Sequence, residues 1–75
     1  MPSIDIQVLE NVFTDEEKML IIMKVTDAFG DVAGPTLKSN TSVRIHEVRS
    51  GSWGYGGQAL TTTDAIGMRD RIHED

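Results

Sequence analysis

The sequence contains no cysteine, so no disulfide braces the chain and no thiolate is on hand to hold zinc. That absence is in keeping with a cytoplasmic protein, the compartment we expect. Long apolar runs are lacking as well. The longest, Met19 to Met23, falls far short of the roughly 20 residues of a membrane span, and no basic stretch followed by an apolar one marks an export signal. Basic side chains are in deficit: 7 Lys and Arg against 12 Asp and Glu leave a net charge of −5, which opposes binding to nucleic acid and to anionic membranes. At 75 residues the chain is expected to form one domain whose own core buries only about 60% of the unfolded surface. With disulfides and thiolate metal sites excluded, self-association is the supplement that so small a core calls for.

What is present is ordered. From Pro2 to Val8 the residues alternate, Pro2, Ile4, Ile6 and Val8 against Ser3, Asp5 and Gln7, the pattern of a half-buried strand. Thr14-Asp15-Glu16-Glu17 reads as a capping box opening a helix, with acidic residues at the positive end of its dipole. Ile21, Ile22, Val25, Ala28, Phe29 and Val32 recur at helical spacing as a core stripe, Met19 and Met23 fall nearly opposite it, and Gly34-Pro35 ends the pattern. Thr41 to Val48 reads as a second strand, Val43 and Ile45 alternating with Ser42, Arg44 and His46. Strand, helix and strand make a βαβ unit with parallel strands and a right-handed crossover. One helix on two parallel strands leaves an apolar sheet face uncovered, so the fold asks for a partner chain.

Arg49 to Leu60 places Gly51, Gly54, Gly56 and Gly57 around Trp53 and Tyr55, as suits a tight hairpin presenting aromatic rings. Thr61-Thr62-Thr63-Asp64 is positioned to cap a short final helix, and the charged end from Arg69 to Asp75 is expected to fray. The expected class is thus mixed α/β (α+β): a βαβ unit followed by a short C-terminal hairpin, with its core in residues 2–64.

Several chemistries lose support. The glycine-rich loop lacks the Gly-Lys-Ser/Thr ending of a phosphate-binding loop and the spacing of a dinucleotide fingerprint. His46-Glu47 and His73-Glu74 are two scattered pairs rather than a closed ligand set, so no metal is expected. No serine stands in a nucleophile elbow.

The order of the remaining features carries a resemblance. Met1-Pro2 opens an alternating strand ending Val8-Leu9-Glu10; the helix enters through Thr14-Asp15-Glu16-Glu17-Lys18. Ser42-Val43-Arg44 opens the second strand, and Gly51-Ser52-Trp53-Gly54-Tyr55-Gly56-Gly57 follows it. Over residues 2–64 this resembles the 4-oxalocrotonate tautomerase family.

The resemblance implies a βαβ subunit assembled as a homohexamer. It implies Pro2 as general base once Met1 is removed, Arg44 binding or polarising a carboxylate or carbonyl, and Trp53 closing the site from the hairpin where phenylalanine is usual. Substrates would be small enol or 2-oxo acids, with no cofactor. Relatives that hydrate or dehalogenate unsaturated acids provide an alternative activity, and a catalytically silent binding module provides another. A free Pro2 amine in strand register would be partly desolvated and near the cation Arg44, both of which disfavour its charged form. The arginine that dicarboxylate-using members carry after the first strand is absent: Asn11-Val12-Phe13 stand there. Lys38 and Arg49 are the candidates for that charge, and monoacids are expected to be preferred to diacids.

Overall fold

The computed structural model describes the backbone of residues 1–74 and the side chains through Asp70. Along the chain run strand β1 (Ser3–Leu9), helix α1 (Asp15–Ala33), short helix α2 (Pro35–Ser39), strand β2 (Ser42–Val48), strands β3 (Trp53–Tyr55) and β4 (Gln58–Leu60), and helix α3 (Thr62–Glu74). β1 pairs with β2, and β3 with β4. The Ser42 amide donates to the Pro2 carbonyl at 2.9 Å and the Glu10 amide to the Val48 carbonyl at 2.8 Å. Starts thus meet starts and ends meet ends, so β1 and β2 are parallel, as the βαβ pattern requires. None of the helices among the described residues is long and apolar enough to cross a membrane.

The alternation read from sequence is present in both strands. Ile4, Ile6 and Val8 of β1 and Val43 and Ile45 of β2 are half-buried, while Ser3, Asp5, Gln7, Ser42, Arg44 and His46 are exposed. The open face of this sheet is therefore polar. That corrects the idea that an apolar sheet face would be left for a partner; the case for one rests instead on how little the chain buries. Leu9, 4% exposed, is the sole buried apolar side chain among the described residues.

The chain divides into two compact units, residues 1–6 with 14–46 and residues 7–13 with 47–75. In the first, α1 opens on a complete capping box. Glu17 N–H donates to Thr14 Oγ1 at 3.1 Å, and Thr14 N–H to Glu17 Oε1 at 2.9 Å, satisfying two of the donors that a helix start leaves open. Gly34 ends the helix at φ 99°, its N–H returned to the Gly30 carbonyl at 2.9 Å, and Pro35 starts α2 where a missing N–H costs nothing. α2 folds back along α1: Lys38 Nζ pairs with Asp27 Oδ1 at 3.1 Å. Its stem lies so close to Gly30 that a Cβ there would come within 2.5 Å of it. Only glycine permits this approach.

α2 was not anticipated, and it corrects the stripe on α1. By covering the Gly30 side, it shifts the protected strip toward Gly30, which is buried, and Ala33, which is half-buried. Ala28 and Val32 on the other flank are exposed, Val32 to 93%. Ile21, Ile22, Val25 and Phe29 hold the inner face as expected, and Met19 and Met23 are exposed.

In the second unit the hairpin register pairs Trp53 with Leu60 and Tyr55 with Gln58. Gly56 and Gly57 turn it with φ of 57° and 83°, the two positive values that a tight two-residue turn needs. A small polar network anchors the start of α3. Glu10 Oε2 accepts from Ser50 N–H at 2.8 Å, Ser50 Oγ from Thr62 N–H at 2.9 Å, and the Glu10 carbonyl from the Thr62 hydroxyl at 2.7 Å. α3 runs on to Glu74, which corrects the expectation of a short helix fraying from Arg69: the Thr61 and Asp64 cap starts a helix that continues through those residues.

Candidate active site

Pro2, Arg44 and Lys38 belong to the first unit, Arg49 and Trp53 to the second. Pro2 is half-buried, held at the head of the parallel pair by the Ser42 hydrogen bond, while the methionine before it is 92% exposed. Arg44 projects from the polar sheet face. Its Nη1 donates to Ser3 Oγ at 3.2 Å and lies 3.8 Å from Asp5 Oδ1, and His46 Nε2 approaches the same carboxylate oxygen at 3.4 Å. By strand parity Pro2 goes with Ile4 and Ile6 and Arg44 with Ser3 and Asp5. Within one chain the guanidinium is thus engaged with Asp5, on the side away from Pro2's apolar companions.

Of the two candidates for the missing cation, Lys38 is taken up by Asp27 and by packing on Gly30. Arg49 is exposed at the end of β2, its carbonyl accepting from Ser52 N–H at 2.9 Å. Glu47 Oε2 accepts the N–H of Asn11, which sits at φ 61°, at 3.2 Å. Among the described residues no cluster of His, Asp and Glu is arranged to hold a metal ion; the side chains of His73 and Glu74 lie outside the described part.

Trp53 helps to form a feature that sequence reasoning missed. In the second unit an apolar groove of about 410 Å³ is walled by Val8 and Leu9 from β1, by Val12 and Phe13 from the turn after it, and by Trp53 and Leu60 from the hairpin. α3 closes it with Ala65, Met68 and Arg69. Arg69 Nη1 donates to the Val12 carbonyl at 3.1 Å, and its guanidinium carbon stands 4.9 Å from the centre of the Phe13 ring, a cation–π distance. The signal lay in the sequence: positions 65, 68 and 69 have the spacing of a single helix face. At the foot of α3, Asp64 Oδ2 accepts from Thr61 N–H at 3.0 Å and Thr61 Oγ1 from Asp64 N–H at 3.2 Å. The Thr61 N–H first, and then the Thr61 side chain, hydrogen-bond the Asp64 carboxylate and hold its pKa below the ordinary value.

The fold of this chain, a parallel βαβ unit followed by a short hairpin, is shared with known proteins. A solved structure from a kinetic and structural characterisation of the 4-oxalocrotonate tautomerase isozymes of Methylibium petroleiphilum superposes with a TM-score of 0.67 at 35% identity, over 85% of this chain and 97% of that one. The probable tautomerase K2 of Dickeya dadantii (strain 3937) is 34% identical over 61 residues, 81% of this chain and 90% of that protein. A family model described as "Tautomerase enzyme" matches residues 2–63. The fold is that of the tautomerases. The chain belongs to the tautomerase family, a membership that supports a tautomerase-type isomerase activity.

Proposed function

We propose that this protein is a cofactor-independent tautomerase of the cytoplasm that interconverts keto and enol forms of a small 2-oxo or enol acid, with Pro2 as general base once Met1 is removed. The observation that carries the reading is the placement of Pro2. It heads the strand with which the family match begins, half-buried and fixed through its carbonyl, behind a methionine open to solvent. Bonded to Met1, the Pro2 nitrogen is an amide with no basicity; freed, it is a secondary amine. As base it removes a proton from carbon next to the carbonyl, the electrons move into the enol, and the protonated amine returns a proton at the other end of the conjugated system. Arg44 stabilises the charge that develops on substrate oxygen. Trp53 packs against the substrate's body, and Arg49 and Lys38 are secondary candidates for its anionic end.

We further propose that the protein works as a homohexamer. With Leu9 the sole buried apolar side chain among the described residues, a lone chain has little to hold it together. Since Arg44 and Pro2 lie on opposite sheet faces of one chain, assembly is also the route by which both reach one substrate. Hydration or dehalogenation of an unsaturated acid is the weaker reading, because it needs a carboxylate to activate water. Asp5 is engaged by Arg44 and His46, and Glu47 accepts from Asn11.

The test compares two preparations, one shown by intact mass to begin at Pro2 and one with Met1 fully retained, on phenylenolpyruvate. Turnover is expected from the first alone, with light scattering showing the same hexamer in both. Equal rates would remove Pro2 as the base.

A further inference from the structure

The exposed face of the parallel pair carries a set of contacts to which the tautomerase reading gives no task. Arg44 and His46 of β2 both approach one atom of β1, Asp5 Oδ1, at 3.8 and 3.4 Å. Arg44 also donates to Ser3 Oγ at 3.2 Å. We infer that Asp5 is a positioning residue for Arg44. With Ser3 it fixes which edge of the guanidinium meets the substrate's carboxylate, and by its charge, shared with His46, it sets how strongly. The inference rests on the reading of Arg44 as the group that meets substrate oxygen, and deepens it by naming what governs the grip of Arg44 on the anionic end.

Both contacts of Arg44 fall on one nitrogen, Nη1. The Nε and Nη2 edge has no partner among the described residues, and its two parallel donors match the two oxygens of a carboxylate. The two anchors do different work. Ser3 lies within hydrogen-bonding distance and gives direction, whereas 3.8 Å is too long for a hydrogen bond, so Asp5 acts chiefly through its charge. A carboxylate there offsets part of the attraction that Arg44 exerts on an anion. His46 draws on the same oxygen from two residues along β2, and at the shorter distance. Histidine changes charge between about pH 5 and 8; once protonated, His46 offsets Asp5 and leaves Arg44 at fuller strength. The charged groups that face His46 are thus Asp5 of β1 and Arg44 of β2, and the freed Pro2 amine is a further titrating group at the head of β1.

A bland reading is that Asp5, Arg44 and His46, all more than half exposed, form a solvated surface cluster with no bearing on a ligand. The two readings part in how the affinity for an acid, but not for its ester, answers to Asp5. The experiment titrates the assembled protein beginning at Pro2 with phenylglyoxylate, a 2-oxo acid with no hydrogen to enolise, and with its methyl ester. Calorimetry at about pH 8 and about pH 5 brackets the histidine range. Nothing is turned over, so the outcome does not depend on Pro2 being the base.

Asp5→Asn keeps an acceptor and removes the charge. At about pH 8 it should bind the acid about two- to fivefold more tightly than the parent, the range of an exposed charge pair, and the ester as the parent does. At about pH 5 the ratio of the two acid affinities should fall toward one. The ratio cancels the titration of the Pro2 amine and the direct pull of protonated His46, which both proteins share. In a His46→Gln background it should keep its high value at both pH values. Arg44→Gln separates failure of this inference from failure of the reading beneath it. If Arg44→Gln weakens acid binding while Asp5→Asn fails to strengthen it, or strengthens acid and ester alike, Asp5 has no such role and Arg44 keeps its own. A ratio that stays high at about pH 5 with His46 present would overturn the sharing of Asp5. Absence of acid binding, or binding indifferent to Arg44→Gln, would sink both.

Discussion

In the first unit the exposed strand face gathers Ser3, Asp5, Arg44 and His46, with Arg44 reaching both Ser3 and Asp5 and His46 reaching Asp5. In the second, Val12, Phe13, Trp53 and Met68 surround a groove in which Arg69 is the lone charge. One region is rich in groups that stabilise or move charge and poor in shape; the other has shape and a single charge. The first lies wholly inside the stretch matched by the tautomerase family, and the second extends past it along α3. The difference teaches where change is cheap. On the proposed reading the base and its charge stabiliser must keep their chemistry, whereas a groove built partly by a helix beyond the matched stretch can change its lining without touching them.

If that division is right, the largest loss short of blocking Pro2 should come from Arg44. Arg44→Ala removes a charge-assisted contact worth about 1.5–3 kcal/mol, a roughly ten- to a hundred-fold fall in kcat/KM. Arg49→Ala, at an exposed position after β2, should change it less than about threefold. Steady-state kinetics of both variants on one enol acid decide the matter. Matching losses would break the comparison, and a larger effect at Arg49 would move the charge stabiliser into the second unit.

A smaller effect is expected where α2 crosses α1. Gly30→Ala gains up to about 1 kcal/mol in helix propensity but drives a Cβ into the base of the Lys38 side chain, an overpacking that costs about 1–3 kcal/mol. Net destabilisation of roughly 1–2 kcal/mol should appear in urea melts, and a second change, Lys38→Ala, should relieve it. Lys38→Ala alone gives up a solvent-exposed ion pair with Asp27, worth at most about 1 kcal/mol, and, since Asp27 already holds the ammonium of this secondary candidate, should change turnover less than about threefold. If it lowered turnover while sparing stability, Lys38 would be a site residue rather than a clamp.

How much of this was legible beforehand follows the range of the forces involved. The Thr14 and Glu17 box, the stop at Gly34-Pro35, the alternation of Ile4 and Ile6 with Ser3 and Asp5, and the Gly56-Gly57 turn are all local. Their physics is complete within a few residues, and the structure shows each. Val32 misled because periodicity alone cannot tell which flank of a helix will be covered. That depends on α2, whose docking hinges on the missing Cβ of Gly30. Likewise the open sheet face was expected to be apolar from topology, although the residues written there, Ser3, Asp5, Arg44 and His46, already said otherwise. The groove was least legible. Arg69 meets Val12 and Phe13 across more than fifty residues, and only the spacing of 65, 68 and 69 hinted that α3 had a face to offer.

The mildest test concerns the helix that distinguishes the second unit. α1 and α3 both open on a threonine box, but that of α3 closes with Asp64, whose carboxyl is held below its ordinary value of 3.8 by the Thr61 backbone and side-chain bonds. A carboxyl with a depressed folded pKa binds its proton less readily in the folded protein than in the unfolded chain. Its contribution is therefore fully present above the ordinary value and is lost as pH falls through the lower folded one. Asp64→Asn keeps an acceptor for the Thr61 N–H and removes the titration. The parent should melt slightly higher than this variant from neutral pH down to about 4, and the gap should close in more acid solution. Turnover of a small enol should be unchanged in the variant. A gap in melting temperature that persists at pH 2 would show that the Asp64 charge plays no part in holding α3. A drop in turnover would show that α3 serves the chemistry.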